Sequence, residues 1–213
     1  MIDPDGPRLP GGPREIELVV HERLGSDLAF DRIYDEKIRA LSDQHWTPVE
    51  VAVRAARMLT HAGATRILDI GSGVGKFCVV GALCTTAEFV GVERRQKLVG
   101  IAERAAAALG ANRATFVHSN IDAFSLARFD GCYLYNPFYE QISKYLPMID
   151  DDVQRSTWLN RYFIETVQGK LQAAEPPMVV VTYHGFGGSM PRGYRNLAAE
   201  RAGNDRLEMW IKE

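Results

Sequence analysis

Three glycines at alternate positions, Gly71, Gly73 and Gly75, follow Asp69 in the stretch Leu68-Asp69-Ile70-Gly71-Ser72-Gly73-Val74-Gly75-Lys76. A short apolar run precedes them and a helix-forming run follows, so they form a strand-to-helix turn. Backbone without Cβ lets a ligand lie close, and the first turn of the following helix offers unpaired N–H donors to an anionic group. Several ligands could use such a turn. A phosphate-cradling loop needs G-x-x-x-x-G-K-[ST]. Gly75-Lys76 is present, but Phe77 stands where the hydroxyl belongs and Ile70 where the first glycine belongs. A dinucleotide turn needs G-x-G-x-x-G, and Lys76 occupies its third glycine, where helix and sheet must pack closely.

The pattern that fits is D-x-G-x-G-x-G. It suits S-adenosylmethionine, which joins a zwitterionic amino-acid tail, a sulfonium and a nucleoside, and which leaves as S-adenosylhomocysteine after transfer. In this reading Gly71, Ser72, Gly73 and Gly75 let the tail and ribose lie against the backbone, and Asp69 offers an anion to the ammonium. Glu93 ends the next apolar run, where a carboxylate accepts both ribose hydroxyls. The alternative for Glu93 is an acid at a helix start. In Ser119-Asn120-Ile121-Asp122, the Asn120 amide can pair with the adenine edge while Ile121 packs on the ring; Asp122 competes for that role. Thr47 can reach the cofactor carboxylate. Equally, it can cap a helix with Pro48 at the first position and Glu50 completing a capping box.

Asn136-Pro137-Phe138-Tyr139 follows a fourth apolar run and is the expected place of chemistry. The Asn136 amide oxygen and the Pro137 carbonyl can hold an amine with its lone pair toward the sulfonium methyl. Methyl transfer is an in-line displacement, so positioning and desolvation supply much of the rate. Phe138 and Tyr139 can stack on a flat substrate or wall a channel. The plain alternative is a turn after a strand. His184 follows the fifth strand on the same side; a proton-moving role is open to it, with an ordinary loop residue the favoured reading.

The stretch Ile67 to Ala123 resembles the cofactor half of class I S-adenosylmethionine-dependent methyltransferases. Leu68 to Gly75 is similar to that superfamily's first motif, Val92-Glu93 to its second and Ser119-Asn120-Ile121 to its third, where Asp is commoner than Asn. With Asn136-Pro137 the resemblance spans roughly residues 45–140. It implies cofactor and reaction class but not substrate. Two subfamilies are similar around the acceptor. Amino methyltransferases carry [ND]-P-P-[YFW], from which Phe138 departs. The disruptor-of-telomeric-silencing lysine methyltransferases resemble the chain distantly, through the first motif, Gly91-Val92-Glu93 and Asn136-Pro137-Phe138. Transfer to a nitrogen is expected. The alternatives are O- or C-methylation of a small metabolite, and a cofactor-binding protein without transferase activity.

The elements that must position these residues follow from periodicity. Helices are expected over 31–41, from Thr47 to Thr60, and over 77–83, 94–109 and 158–171. Strands are expected over 66–70, 88–93, 115–118, 130–135, 178–183 and 206–212, with a glycine-rich loop from 185 to 195. Alternating strands and helices predict an α/β, doubly wound, mostly parallel sheet with helices on both faces, a Rossmann-like arrangement, with a helical N-terminal extension over 14–62. Residues 14–213 form one domain in this reading, behind a flexible Pro/Gly-rich tail over 1–13. A chain of 213 residues with net charge −2 suits one core and carries no bulk positive field for nucleic acid, although nucleic acid is not excluded. The three cysteines lie in apolar runs at no metal spacing, no helix pairs two histidines, and no metal site is expected. No membrane span or secretory leader is read, so the expectation is a cytoplasmic monomer.

Overall fold

In the computed structural model, which describes residues 24–145, 147–150, 152 and 155–213, the core is a seven-stranded sheet in the order β3-β2-β1-β4-β5-β7-β6. The strands are β1 Arg66–Ile70, β2 Glu88–Glu93, β3 Ala114–His118, β4 Gly131–Tyr135, β5 Met178–Tyr183, β6 Tyr194–Ala202 and β7 Asp205–Lys212. The first five are mutually parallel; β7 runs antiparallel to β5 and pairs with β6 as a hairpin. The sheet is thus doubly wound and mostly parallel, as expected. From β1 the chain first builds outward through β2 and β3, then returns to add β4 on the other side. The crevice beyond the carboxyl ends of β1 and β4 is therefore the topological switch point, where ligands settle in open α/β sheets.

Alternation along the strands feeds two apolar layers. Ile67, Tyr133, Val179 and Val181 face one, and Leu68, Cys132, Leu134 and Val180 the other. On the first side pack α4 (Val49–His61), α5 (Lys76–Cys84) and α6 (Gln96–Leu109). Helix α5 is apolar almost all round and buried from Lys76 to Ala82, as a helix wedged between sheet and neighbours must be. Helix α6 stops at Gly110, whose φ of 66° gives the left-handed cap. On the other side lies α7 (Thr157–Ala173), capped by Ser156 Oγ accepting from Leu159 N–H at 3.2 Å and burying Phe163, Val167 and Leu171.

Three expectations need correction. The helix read over 31–41 is broken: α1 (Asp27–Phe30), a 3-10 turn (Asp31–Ile33), α2 (Glu36–Arg39) and α3 (Ser42–His45) follow one another. Asp35 is the cause, because its carboxylate accepts from Ile38 N–H at 3.0 Å and starts a new helix there. The capping box also fails. Pro48 has ψ 145°, so α4 begins at Val49, whose N–H is capped at 2.8 Å by Asp27 from 22 residues upstream; Glu50 pairs with Arg54 instead. Finally, β6 was unexpected, and it starts inside the loop read to residue 195. The tail over 1–13 and the first part of the expected helical extension, residues 14–23, lie outside the described residues.

Candidate active site

The glycine turn leaves β1 with three left-handed residues: φ is 77° at Gly71, 55° at Gly73 and 79° at Gly75. Only glycine adopts these without strain. Close packing adds a second constraint. A Cβ on Gly71 would stand 2.8 Å from Pro137 Cβ, and one on Gly73 2.6 Å from Trp46 Cζ3. Hence the turn touches the end of β4 on one side and the N-terminal helices on the other. The N–H groups of Gly71 and Ser72 both donate to Val92 O, at 2.9 and 3.1 Å, tying the turn to β2. Glu93, one residue on, is buried, and its carboxylate accepts from Gly73 N–H at 3.1 Å and Arg95 N–H at 2.8 Å. Burial raises its pKa above the ordinary carboxylate value, against the opposing pull of those N–H groups and the Arg95 charge.

A cavity of about 610 Å³ opens over this turn, within the usual size for small-molecule sites. Gly71, Gly73, Glu93, Asn120, Ile121, Asn136, Pro137, Phe138 and Tyr139 all line it. Nine of the expected site residues, from four separate segments, thus converge on one space. Four others stand behind the wall. Thr47 Oγ1 bonds the Tyr133 hydroxyl at 3.1 Å, and Ser72 Oγ is buried with no hydrogen-bond partner. Gly75 is packed against Phe116 and Ala102. Asp69 is buried with Cys78 Sγ donating to it at 3.5 Å, and desolvation pushes its pKa up to about 7. Between the two candidates near adenine's expected place, Asn120 lines the cavity; Asp122 is exposed, bonding Ala123 N–H and the Tyr162 hydroxyl.

Lys76 supports rejection of the phosphate loop. Its ammonium is buried against Asp27 at 2.6 Å and Asp31 at 2.7 Å, and clamps the N-terminal helices to α5. The Tyr34 hydroxyl strengthens this clamp by donating to Val74 O at 3.3 Å. Trp46, held by Nε1 donating to Ile38 O at 3.2 Å, then lies against Gly73 and forms part of the cavity wall.

Some lining residues escaped sequence reading. Arg95, one of a run of surface-looking cations, is buried: its guanidinium bonds Glu140 at 2.5 Å and Asp150 at 3.0 Å, while Glu140 also accepts from Ile149 N–H at 2.8 Å. This network holds the segment after β4 against the cavity. Phe163 from α7 stacks on Phe138 with ring centres 5.5 Å apart. Tyr135 and Asn204 complete the far rim, beside His184, which the sequence already placed on this side. Asn204 had no detectable signal, since it lies in the turn after β6 and that strand was itself unread. Among the described residues no cluster of His, Cys, Asp and Glu could hold a metal ion.

Residues 61–145 match the family described as "Methyltransferase domain". No curated protein matches the chain. Among solved structures, the O-methyltransferase from Bacillus cereus in complex with SAH is 15% identical, with a TM-score of 0.58 over 92% of this chain and 96% of that one. An RNA methyltransferase from Salinibacter ruber in complex with S-adenosyl-L-homocysteine is 18% identical, with a TM-score of 0.51 over 75% and 90%. TrmN from Thermus thermophilus is 19% identical, with a TM-score of 0.54 over 78% of this chain and 49% of that one. At such identities the structures show the fold, and the family match covers residues 61–145 of the 213. The switch-point crevice and the glycine turn beneath it thus lie within residues 61–145, the stretch that matches a methyltransferase domain, in a chain that shares the fold of these methyltransferase structures.

Proposed function

We propose that the cavity over the glycine turn is the transfer site, and that the accepting atom is a nitrogen held at the end of β4. The observation that carries the reading is the contact between Gly71 and Pro137: the cofactor turn and the acceptor motif are neighbours across the switch point. Glu93 would hold the ribose hydroxyls; each of its oxygens accepts one N–H and keeps a second lone pair for a ligand. Ile121 and Asn120 would flank adenine. The backbone at Gly71 and Gly73 would carry the amino-acid tail, with Asp69, Ser72 and Gly75 shaping the turn from behind and Thr47 supporting it through Tyr133. When bound, the sulfonium supplies an electrophilic methyl group.

The chain's own contribution is positioning and exclusion of water. Asn136 leaves β4 with φ 36°, a left-handed conformation, and its N–H donates to Gly185 O at 2.9 Å. That strained corner directs the Asn136 side chain and Pro137 into the space beside the turn. Phe138, Phe163 and Tyr139 wall it with apolar surface, which raises the reactivity of a desolvated nucleophile. Residues 14–213 serve as a single catalytic domain, monomeric and cytoplasmic; no described helix is long and apolar enough to cross a membrane. The test is Asn136→Ala with tritiated S-adenosylmethionine and fractionated lysate. Dissociation of S-adenosylhomocysteine should change less than about twofold, while label transfer falls at least 100-fold. Unchanged transfer removes Asn136 from the site.

A further inference from the structure

His45 ends α3 and lines the cavity beside Trp46, with the two ring centres 5.6 Å apart. Trp46 packs on Gly73, so His45 sits next to the glycine turn. The imidazole also reaches the segment that follows β4: Nε2 lies 2.8 Å from Pro147 O, 102 residues along the chain. That segment starts at Pro137, which touches Gly71. It is folded back by Glu140, whose carboxylate accepts from Ile149 N–H at 2.8 Å and pairs with Arg95 at 2.5 Å. One side chain therefore bridges the N-terminal helices and the acceptor segment at the cavity they share.

The bond to Pro147 fixes the state of the ring. A carbonyl oxygen only accepts, so Nε2 carries the proton, and in the neutral imidazole Nδ1 then holds the lone pair. Nδ1 bonds nothing among the described residues, and it is not one of the sealed-off buried atoms, so that lone pair is open. His184, also on the cavity, differs: both its ring nitrogens already meet protein oxygens, Asp205 Oδ2 at 2.6 Å and Asn204 Oδ1 at 3.1 Å. Burial holds the His45 pKa below the ordinary imidazole value, so the ring is neutral at pH 7. The charged groups acting on it are Glu140, which favours the imidazolium, and Arg95, which opposes it.

Resting on the transfer site proposed above, we infer that His45 is a catalytic base, whose Nδ1 takes the proton that the acceptor nitrogen loses on methylation. The step balances. The acceptor nitrogen gives its lone pair to the methyl carbon. The carbon–sulfur bond breaks, its electron pair stays on sulfur and the positive charge is lost there. The N–H proton moves to Nδ1, whose lone pair forms the new bond, while the old bonding pair remains on the acceptor nitrogen. Nε2–H keeps its bond to Pro147 O throughout, so the ring does not turn.

The test uses the full chain, tritiated S-adenosylmethionine and fractionated lysate as the acceptor source. His45→Gln is the main variant: its amide N–H reaches as far as Nε2 and keeps the bond to Pro147 O, without supplying a base. His45→Asn is shorter and breaks that bond. His45→Gln should lower the initial rate at pH 7 at least 100-fold, within the range of about 10²–10⁴ for loss of a general base. Its S-adenosylhomocysteine affinity and melting temperature should be unchanged. Wild-type transfer should stay level from pH 7 to 9 and fall on the acid side, below the ordinary imidazole value of 6.5, where the protonated ring has no lone pair. In His45→Gln the rate should instead climb steadily from pH 7 to 9, as hydroxide replaces the ring. A structural role predicts the opposite order, with His45→Asn impaired and His45→Gln active. That result, a Gln variant with the wild-type pH profile, or a loss accompanied by lost S-adenosylhomocysteine affinity overturns the assignment. If Asn136→Ala abolishes transfer and His45→Gln does not, the transfer site stands and the base falls. If the wild-type chain binds S-adenosylhomocysteine but labels nothing, the transfer-site reading falls and takes the base with it.

Discussion

Gly73→Ala places one methyl group at the point where the turn meets the N-terminal helices. Two costs arise. The backbone sits at φ 55°, and an L-residue in that region costs about 1–2 kcal/mol. The new Cβ would stand 2.6 Å from Trp46 Cζ3 and 3.0 Å from Cε3, whereas carbon atoms pack best at about 3.5–4.0 Å. Trp46 is buried and tied through Nε1 to Ile38 O, so it cannot simply swing aside. Overpacking of this kind costs about 1–3 kcal/mol, which brings the sum to about 2–5 kcal/mol. For a chain of this size that is a fall in melting temperature of roughly 5–15 °C. Urea unfolding of wild type, Gly73→Ala, Trp46→Leu and the double variant gives the cycle. The smaller leucine should relieve the clash, with a coupling energy of about 1 kcal/mol or more. A single variant within about 0.5 kcal/mol of wild type, or a strictly additive cycle, would refute the packing argument.

Glu93→Gln should weaken S-adenosylhomocysteine binding at least tenfold by calorimetry, because the amide replaces a ribose acceptor with a donor; an unchanged affinity would remove the ribose role. Lys76→Met should destabilise by about 3–5 kcal/mol, since it leaves the buried Asp31 carboxylate without its cation. Hydrogen exchange should then rise across residues 27–46, and retained protection there would contradict the clamp. Burial raises Asp69 to about 7 in the folded chain, above its unfolded value. The folded state thus binds the extra proton between about pH 4 and 7, and this residue's contribution to stability falls as pH rises through that window. Asp69→Asn should flatten the slope in urea titrations across it, and an identical slope would show that Asp69 titrates normally.

The parallel half of the sheet was legible because its strands are short apolar runs bounded by turns, and because Gly110 and the glycine turn mark their helices without ambiguity. That Glu93, Asn120 and Asn136 would share one cavity was legible for a related reason: they are polar residues at the ends of apolar runs, and a parallel sheet collects such ends on one edge. What escaped depends on long-range pairing. Strand β6 reads Tyr-Arg-Asn-Leu-Ala-Ala-Glu-Arg-Ala, a composition poor in β-branched residues, and only β7 makes it a strand. With it went the turn that carries Asn204, just before Asp205 opens β7. The start of α4 escaped likewise, since its cap is Asp27 and not the adjacent Thr47. Arg95 looked like a surface cation because the acids that bury it, Glu140 and Asp150, lie 45 and 55 residues away.

Hydrogen exchange of the full chain with and without S-adenosylhomocysteine tests the placement of the site most directly. Protection is expected in four separate segments at once: Gly71 to Gly75, Glu93 to Arg95, Ser119 to Ile121, and Asn136 to Tyr139. Protection confined to other parts of the chain, or binding without protection at the glycine turn, would contradict it.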